Sequence, residues 1–309
     1  MTLQQLQYVV ALDTHRHFVK ASESCHVAQP TLTLQVKKLE DEISTVLFDR
    51  TSQPLKPTPT GEIFIERAKR IINNVQELKN LINENKNNIE GEFKMGIIPT
   101  LAPNLLPLFI NDFIIKHPKT KLIIEELQSE KIIEQLVNKE LDIGLLSTPL
   151  DEPEIREEPI FYEPFLVFTN KGNDLLTNSK VTINKLKPKG LWLLRKGHCF
   201  RNQTLNICHF DFSEQHRNIV MEGGSIETLK RMVKEVNGYT LIPELSFEEK
   251  SDADYIVHFS EPKPVREISL VVHKHFTKEI LIEELKKSIL RNTPESFQKN
   301  TKIKKVKWR

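Results

Sequence analysis

No run of apolar residues in this 309-residue chain is long enough to cross a bilayer. The longest stretches resemble Leu105-Leu106-Pro107-Leu108-Phe109-Ile110, far short of the roughly 18 residues that a spanning helix needs. Basic and apolar signal regions are also missing from the opening Met1-Thr2-Leu3-Gln4-Gln5, so no membrane partner is expected and the protein is expected in the cytoplasm. Cysteine is scarce: Cys25, Cys199 and Cys208 are the only three. In a reducing compartment, a cysteine pair points to catalysis, sensing or metal binding rather than to a structural staple. Charge of one sign is missing as well, since 44 Lys/Arg against 42 Asp/Glu leave a net charge of +2. Composition therefore does not identify a nucleic-acid partner, and DNA binding has to rest on geometry. Low-complexity tracts are absent, and 39% hydrophobic with 28% charged residues fit a globular protein of two or three domains.

Leu3, Leu6, Val9 and Val10 recur at helical spacing, and Phe18, Ala21 and Cys25 form a second apolar set after the polar break 13–17. Gln29-Pro30-Thr31 offers a helix start, because proline in a first turn forfeits only an amide that was unpaired anyway. Leu32, Val36, Leu39 and Ile43 then make one buried stripe, leaving Gln29, Thr31, Thr33, Gln35, Lys37 and Lys38 on the other face. Three short helices with a polar third one read as a helix-turn-helix, whose recognition helix meets base edges in the major groove. Glutamine and threonine suit bases or phosphates, and lysine suits phosphates. Leu47-Phe48-Asp49-Arg50-Thr51 and Leu55-Lys56-Pro57-Thr58 flank Ser52-Gln53-Pro54 and read as a hairpin wing, with Arg50 facing phosphate. Beyond Pro59, the residues Phe64, Ala68, Ile71, Val75, Leu78 and Ile82 step by four and three, a heptad seam that would bury itself against a second copy. The polar stretch 83–88 reads as a hinge.

From Glu92 onward strand and helix patterns alternate, which predicts parallel sheets with crossover helices arranged as two lobes around a cleft. Strands are expected at 93–98, 122–125, 141–146 and 268–272, helices at 103–116, 129–139 and 277–291, and a second unit from Phe165 to Arg266. Thr100, Ser129 and Ser225 fall at strand-to-helix junctions, where they serve as helix caps or line a cleft for a small polar ligand. The run Lys299 to Arg309, with six basic residues and no acid, reads as a solvated terminus.

Cys199 follows His198 and precedes Arg201 by two positions, and nearby positive charge favours a thiolate. If residues 199–208 form one helix, the two α-carbons stand about 13 Å apart. A disulfide needs them about 4.4–6.8 Å apart, so joining them requires refolding.

Residues 1–88 resemble the winged helix-turn-helix and linker helix of LysR-family transcriptional regulators. Ala28-Gln29-Pro30-Thr31-Leu32-Thr33, Gln35, Leu39-Glu40, Leu47-Phe48-Asp49-Arg50 and Thr58-Pro59-Thr60-Gly61 carry the likeness. Gly197-His198-Cys199-Phe200-Arg201 through Cys208 closely resembles the motif of the OxyR-type hydrogen peroxide sensors of that family. The resemblance implies an α+β protein, with a winged helix-turn-helix over 1–58 and a linker and hinge over 59–90. A regulatory domain over 91–309 follows, resembling periplasmic binding proteins, with one lobe at about 91–162 and 267–309 and another at about 163–266. It implies oxidation of Cys199 to a sulfenic acid and a disulfide with Cys208, with Thr100, Ser129, His198, Arg201 and Arg266 binding peroxide or supporting the thiolate. It also implies double-stranded DNA contacted by Gln29, Pro30, Thr31, Thr33, Gln35, Lys37 and Arg50. Further expected partners are a second copy of the chain, pairing of dimers, RNA polymerase and a thiol reductant, with no cofactor, no metal and no enzyme activity. Asn202 stands where aspartate is frequent, Ser129 where threonine is usual, and Leu205-Asn206-Ile207 departs from the common residues. Rival readings are a metal sensor built on His198, Cys199, Cys208 and His209, a metabolite-responsive regulator with incidental cysteines, and a peroxidase.

Overall fold

The computed structural model describes residues 1–83, 89–177, 179–186, 190–208, 224–298 and 302–308. It divides into two compact units, Met1–Asn87 and Asn88–Arg309. No helix among the described residues is long and apolar enough to cross a membrane.

The first unit holds helices α1 (Leu3–His15), α2 (Phe18–Ser24) and α3 (Gln29–Glu42), a wing of β1 (Phe48–Asp49) and β2 (Lys56–Pro57), and the long α4 (Pro59–Asn83). Thr2 and Gln5 start α1 with reciprocal caps, at 3.2 Å to the Gln5 amide and 2.8 Å to the Thr2 amide. Val9, Leu12, Leu32, Val36 and Leu39 meet in one core, each fully buried. The stripe 32, 36, 39 is therefore what turns the other face of α3 to solvent. The wing closes on α4 through Thr58, whose hydroxyl donates to the Val46 carbonyl at 2.8 Å and accepts from the Gly61 amide at 3.0 Å. A Cβ at Gly61 would overlap the Leu47 carbonyl oxygen, which explains a glycine three residues past that threonine.

The seam on α4 is divided. Phe64 and Ala68 pack inward, Ala68 being buried and Phe64 lying against the core of this unit, while Ile71 and Leu78 are 42% and 62% exposed. Of the expected hinge 83–88, Asn83 ends α4, while residues 84–88 and the Ile82 side chain lie outside the described residues.

The second unit is built on strands β3 (Gly91–Ile97), β4 (Thr120–Glu126), β5 (Ile143–Thr148), β6 (Ile155–Thr169), β7 (Lys180–Val181), β8 (Tyr239–Pro243), β9 (Ile256–Phe259), β10 (Lys263–His273) and β11 (Ile303–Lys305). Its helices are α5 (Ala102–Lys116), α6 (Ser129–Val137), α7 (Cys199–Cys208), α8 (Ile226–Glu235), α9 (Glu249–Asp252) and α10 (Glu279–Asn292). The sheet runs β4-β3-β5-β10-β6-β9-β7, with β8 also on β6 and β11 on β10. Two hydrophobic cores form, one around Met95, Leu105, Phe109, Ile132, Leu145 and Leu270, the other around Phe168, Leu229, Leu241 and Val257.

The expectation of parallel sheets is corrected. β3 is parallel to β4 and β5, but β10 runs antiparallel to both β5 and β6, and β8 and β9 run antiparallel to β6. β6 is one 15-residue strand whose first part pairs with β10 in one lobe and whose last part pairs with β8 in the other, so neighbours in the second lobe return alongside it. The solvated-terminus reading is also overturned. Residues 303–305 form a strand parallel to β10, and Val306 and Trp308 are 8% and 4% exposed.

Gly61→Ala is expected to destabilise the first unit by about 1–3 kcal/mol, since a methyl must displace the wing backbone. Ile63→Ala, on the 64% exposed side of the same helix, should stay within about 0.5 kcal/mol. Thermal melts of both variants check this, and equal midpoints would refute the close approach.

Candidate functional site

Cys199 is the first residue of α7, and the residue is 3% exposed. Three groups favour its thiolate: the Ser129 hydroxyl at the start of α6, the Arg266 guanidinium on β10, and the backbone amides that open α7. Burial acts against them and prevails, so the thiol is pushed above its ordinary value rather than below it. The expected acidic thiol is thus corrected, and the flanking residues explain why. His198 is itself 5% exposed, with its pKa lowered by burial and by Arg195, so it supplies no imidazolium at neutral pH. Arg201 donates Nη1 to the Leu194 carbonyl at 2.7 Å, and the guanidinium acting on the thiol is that of Arg266.

Arg266 is 1% exposed and anchors the site. Its Nε donates to Glu163 Oε2 at 2.8 Å, Nη2 lies 2.7 Å from the same oxygen, and Nη1 and Nη2 donate to the Thr100 hydroxyl and carbonyl at 2.8 and 3.2 Å. Its Cζ stands 5.3 Å from the centroid of Phe200, which stacks on Phe165. Thr100 therefore serves the arginine, not a helix cap. Ser129 sits one place inside α6, whose cap is Gln128. Of the three junction hydroxyls, Ser225 caps its helix, accepting the Glu227 amide at 3.2 Å.

Ser129 Oγ, whose hydrogen-bond partner is the Cys199 sulfur, has no nitrogen or oxygen partner among the described residues, and the same holds for the buried His198 Nε2 and Gln203 Oε1. Such atoms are costly to leave unmet. Glu163 and Gln203 escaped the sequence reading. Glu163 was visible as a lone acid in the apolar run 160–168, and Gln203 as the residue one helical turn after Cys199.

Cys208 ends α7 at its far side. Its thiol is pushed up to about 12 by burial, against the help of the Tyr239 hydroxyl, which donates to its sulfur at 3.8 Å. Cys199 packs in the first core and Cys208 in the second, and both are free thiols. The described residues contain no group of three or more His, Cys, Asp and Glu fit to hold a metal, and His209 lies outside them.

In the first unit, Gln29, Pro30, Thr31, Lys37 and Arg50 are exposed, while Thr33 and Gln35 are half-buried. Gln35 Oε1 accepts from Gln5 at 3.4 Å, and the Thr33 hydroxyl is buried without a partner. Leu34, missed in the sequence, occupies the outward face between them at 52% exposure. Arg50 is not a free cation: its guanidinium lies 2.6 Å from Glu40 Oε2, and Glu40 Oε1 accepts the Leu47 and Phe48 amides at 2.8 and 3.3 Å.

Comparison with known proteins agrees with both units. The model of the bacterial regulatory helix-turn-helix protein, lysR family, matches residues 3–62, and that of the LysR substrate binding domain matches residues 86–292. A hydrogen peroxide-inducible genes activator of Pectobacterium carotovorum is 33% identical over 273 residues, 88% of this chain and 90% of that protein. The DNA-binding transcriptional dual regulator OxyR of Escherichia coli K12 is 33% identical, over 88% of this chain and 89% of its own length. A solved full-length OxyR variant from Pseudomonas aeruginosa superposes with a TM-score of 0.77 at 31% identity, covering 95% of this chain and 99% of that one.

With a raised pKa, the thiolate fraction of Cys199 grows throughout the neutral and mildly alkaline range. Its alkylation by iodoacetamide in the reduced protein is expected to rise about tenfold per pH unit up to pH 9. Peptide mass spectrometry, scoring Cys25 separately, checks this, and a plateau below pH 7 would contradict the buried, protonated thiol.

Proposed function

The chain belongs to the LysR family of transcriptional regulators, and we propose that it is a hydrogen peroxide sensor of the OxyR type whose redox switch is the Cys199–Cys208 pair. The observation that carries the reading is a helix-opening thiol set beside Ser129, His198 and the Thr100–Arg266 pair, on the same helix as a second thiol. The polar atoms left unmet there suit a molecule that both donates and accepts hydrogen bonds and is small enough for a closed site.

In the first step the Cys199 thiolate attacks one peroxide oxygen, forming S–O as O–O breaks. The departing hydroxide takes the proton lost by the thiol and leaves as water, and Cys199 becomes a sulfenic acid. Donors near the leaving oxygen lower this barrier, for which Arg266, the Thr100 hydroxyl and the His198 ring are at hand. In the second step the Cys208 sulfur attacks the sulfenic sulfur, forming S–S as S–O breaks, and a second water leaves. Two thiols are oxidised and one peroxide is reduced to two waters. Within α7 the two cysteines are about 13 Å apart, so the second step proceeds only as the helix unwinds.

Cys199 and Cys208 belong to different hydrophobic cores, so the disulfide repacks both lobes, and that repacking is the signal. The exposed Ile71 and Leu78 on α4 support a dimer formed through that helix, with dimers pairing on DNA to present two recognition helices each. Thr31, Leu34 and Lys37 on the outward face of α3 support major-groove contact. The oxidised form would activate transcription through RNA polymerase, and a cytoplasmic dithiol reductant would reset it.

Substoichiometric hydrogen peroxide, followed by disulfide mapping, is expected to yield the Cys199–Cys208 pair. Cys208→Ser should accumulate a dimedone-reactive sulfenic acid at Cys199, and Cys199→Ser should abolish peroxide-dependent transcription. Retention of that response in Cys199→Ser would sink the mechanism. Lys37→Ala is expected to weaken binding to all DNA alike, lowering the salt slope by about 1.

A further inference from the structure

The lysine-rich segment after α10 lies against α7. Asn202, Gln203 and Asn206 donate their side-chain amides to the carbonyls of Trp308, Val306 and Lys307 at 3.2, 3.0 and 2.8 Å. Asn202 and Asn206 are one helical turn apart, so they form one row along the helix. The segment that accepts these bonds is itself anchored at several points. β11 runs parallel to β10 from Lys263 to Val265, and the Val306 amide donates to the Val265 carbonyl at 2.9 Å. Lys305 Nζ reaches Glu267 and the Tyr162 hydroxyl at 2.8 and 2.7 Å. The Trp308 indole donates to the Ser147 carbonyl at 3.0 Å, and the Ser147 hydroxyl accepts from the same Gln203 amide at 3.0 Å. Val306 is part of the core that holds Cys208, and Trp308 is part of the core that holds Cys199.

We propose that residues 303–308 form a latch that holds α7 in its helical, reduced form and so sets how readily Cys199 and Cys208 can be joined. All three donors lie between the two cysteines. Three neighbouring carbonyls in an extended segment match amides at positions 202, 203 and 206 only while those positions keep helical spacing. Bringing the cysteines to within about 4.4–6.8 Å destroys that spacing, so the clasp must open before the disulfide closes. The latch therefore stabilises the dithiol and opposes the disulfide. Asparagine at 202 has a specific use here, because a carboxylate would set oxygen against the Trp308 carbonyl, whereas an amide donates to it. The redox half of the proposal rests on the Cys199–Cys208 reading, while the clasp on α7 stands without it.

The test uses the full chain with Asn202→Ala/Asn206→Ala, two positions on the exposed side of α7, and with Trp308→Phe, which keeps an aromatic ring but removes the donor. In the reduced proteins, hydrogen exchange of α7 amides is expected to quicken about tenfold in each variant, the effect of losing one or two net hydrogen bonds, with the β5–β10 ladder unchanged. Exchange in α7 equal to wild type, or a rise shared equally by the β5–β10 ladder, would overturn the latch. In glutathione buffers the disulfide is expected to form about tenfold more readily in the variants, a midpoint lower by about 30 mV for a two-electron couple. A disulfide that forms with the same midpoint in all three proteins overturns the latch and leaves the peroxide reading standing. If wild type forms no such disulfide, the peroxide reading falls and α7 exchange alone decides the latch.

Discussion

A guanidinium sealed from water has to be neutralised in place, and Arg266 is sealed at the point where the two long strands pass from one lobe to the other. Its cross-strand partner in the β6–β10 register is Glu163, itself wholly buried. Breaking such a pair leaves an uncompensated charge and costs about 3–5 kcal/mol, so the pair pins the register of the lobe junction. The remaining donors of Arg266 then fix Thr100 ahead of α5, and its flat face lies by Phe200 on α7. One side chain thus ties together the β6–β10 junction, the residue ahead of α5 and the start of the helix that carries Cys199.

Burial explains why Cys199 stays protonated. Desolvation at the sulfur outweighs the Ser129 hydroxyl, the Arg266 charge and the backbone amides, all of which favour the thiolate. A thiol in this state is protected from casual oxidants, because only the thiolate is a strong nucleophile. In the proposed sensor, reaction requires something that relieves the desolvation at the sulfur, and His198 Nε2 and Gln203 Oε1 are buried polar atoms left without a partner. Each buried unmet group costs about 1–3 kcal/mol, a penalty that the proposed peroxide would remove. Selectivity can therefore reside in the fit of the ligand to those atoms rather than in a permanently acidic cysteine.

The helix-turn-helix was legible because its apolar stripe on α3 is local and its start is marked by Pro30. The lobe topology was not, because Pro159 and Pro164 lie within β6, and proline reads as a strand break. Arg201 was misjudged by proximity in sequence: two residues apart on a helix do not face each other, so its charge goes to the Leu194 carbonyl. The ion pair of Arg50 with Glu40 was not legible, because the two lie ten residues apart in sequence. The last strand was hidden by composition, since its lysines suggested solvent while Val306 and Trp308 carried the packing.

In the proposed Cys199–Cys208 switch, the balance between dithiol and disulfide would follow from this packing more than from thiol acidity. Every 1.4 kcal/mol by which the reduced fold is favoured moves a two-electron potential by about 30 mV. Phe200 and Ile207 are each 2% exposed on α7, and withdrawing a side chain of that size from a core costs about 1.5–3 kcal/mol. Moving even one of them is therefore equivalent to several tens of millivolts, comparable to the spread between different cellular thiol couples. In that switch, substitutions along α7 that leave both cysteines untouched, such as those at 205–207, would move the potential without changing the chemistry.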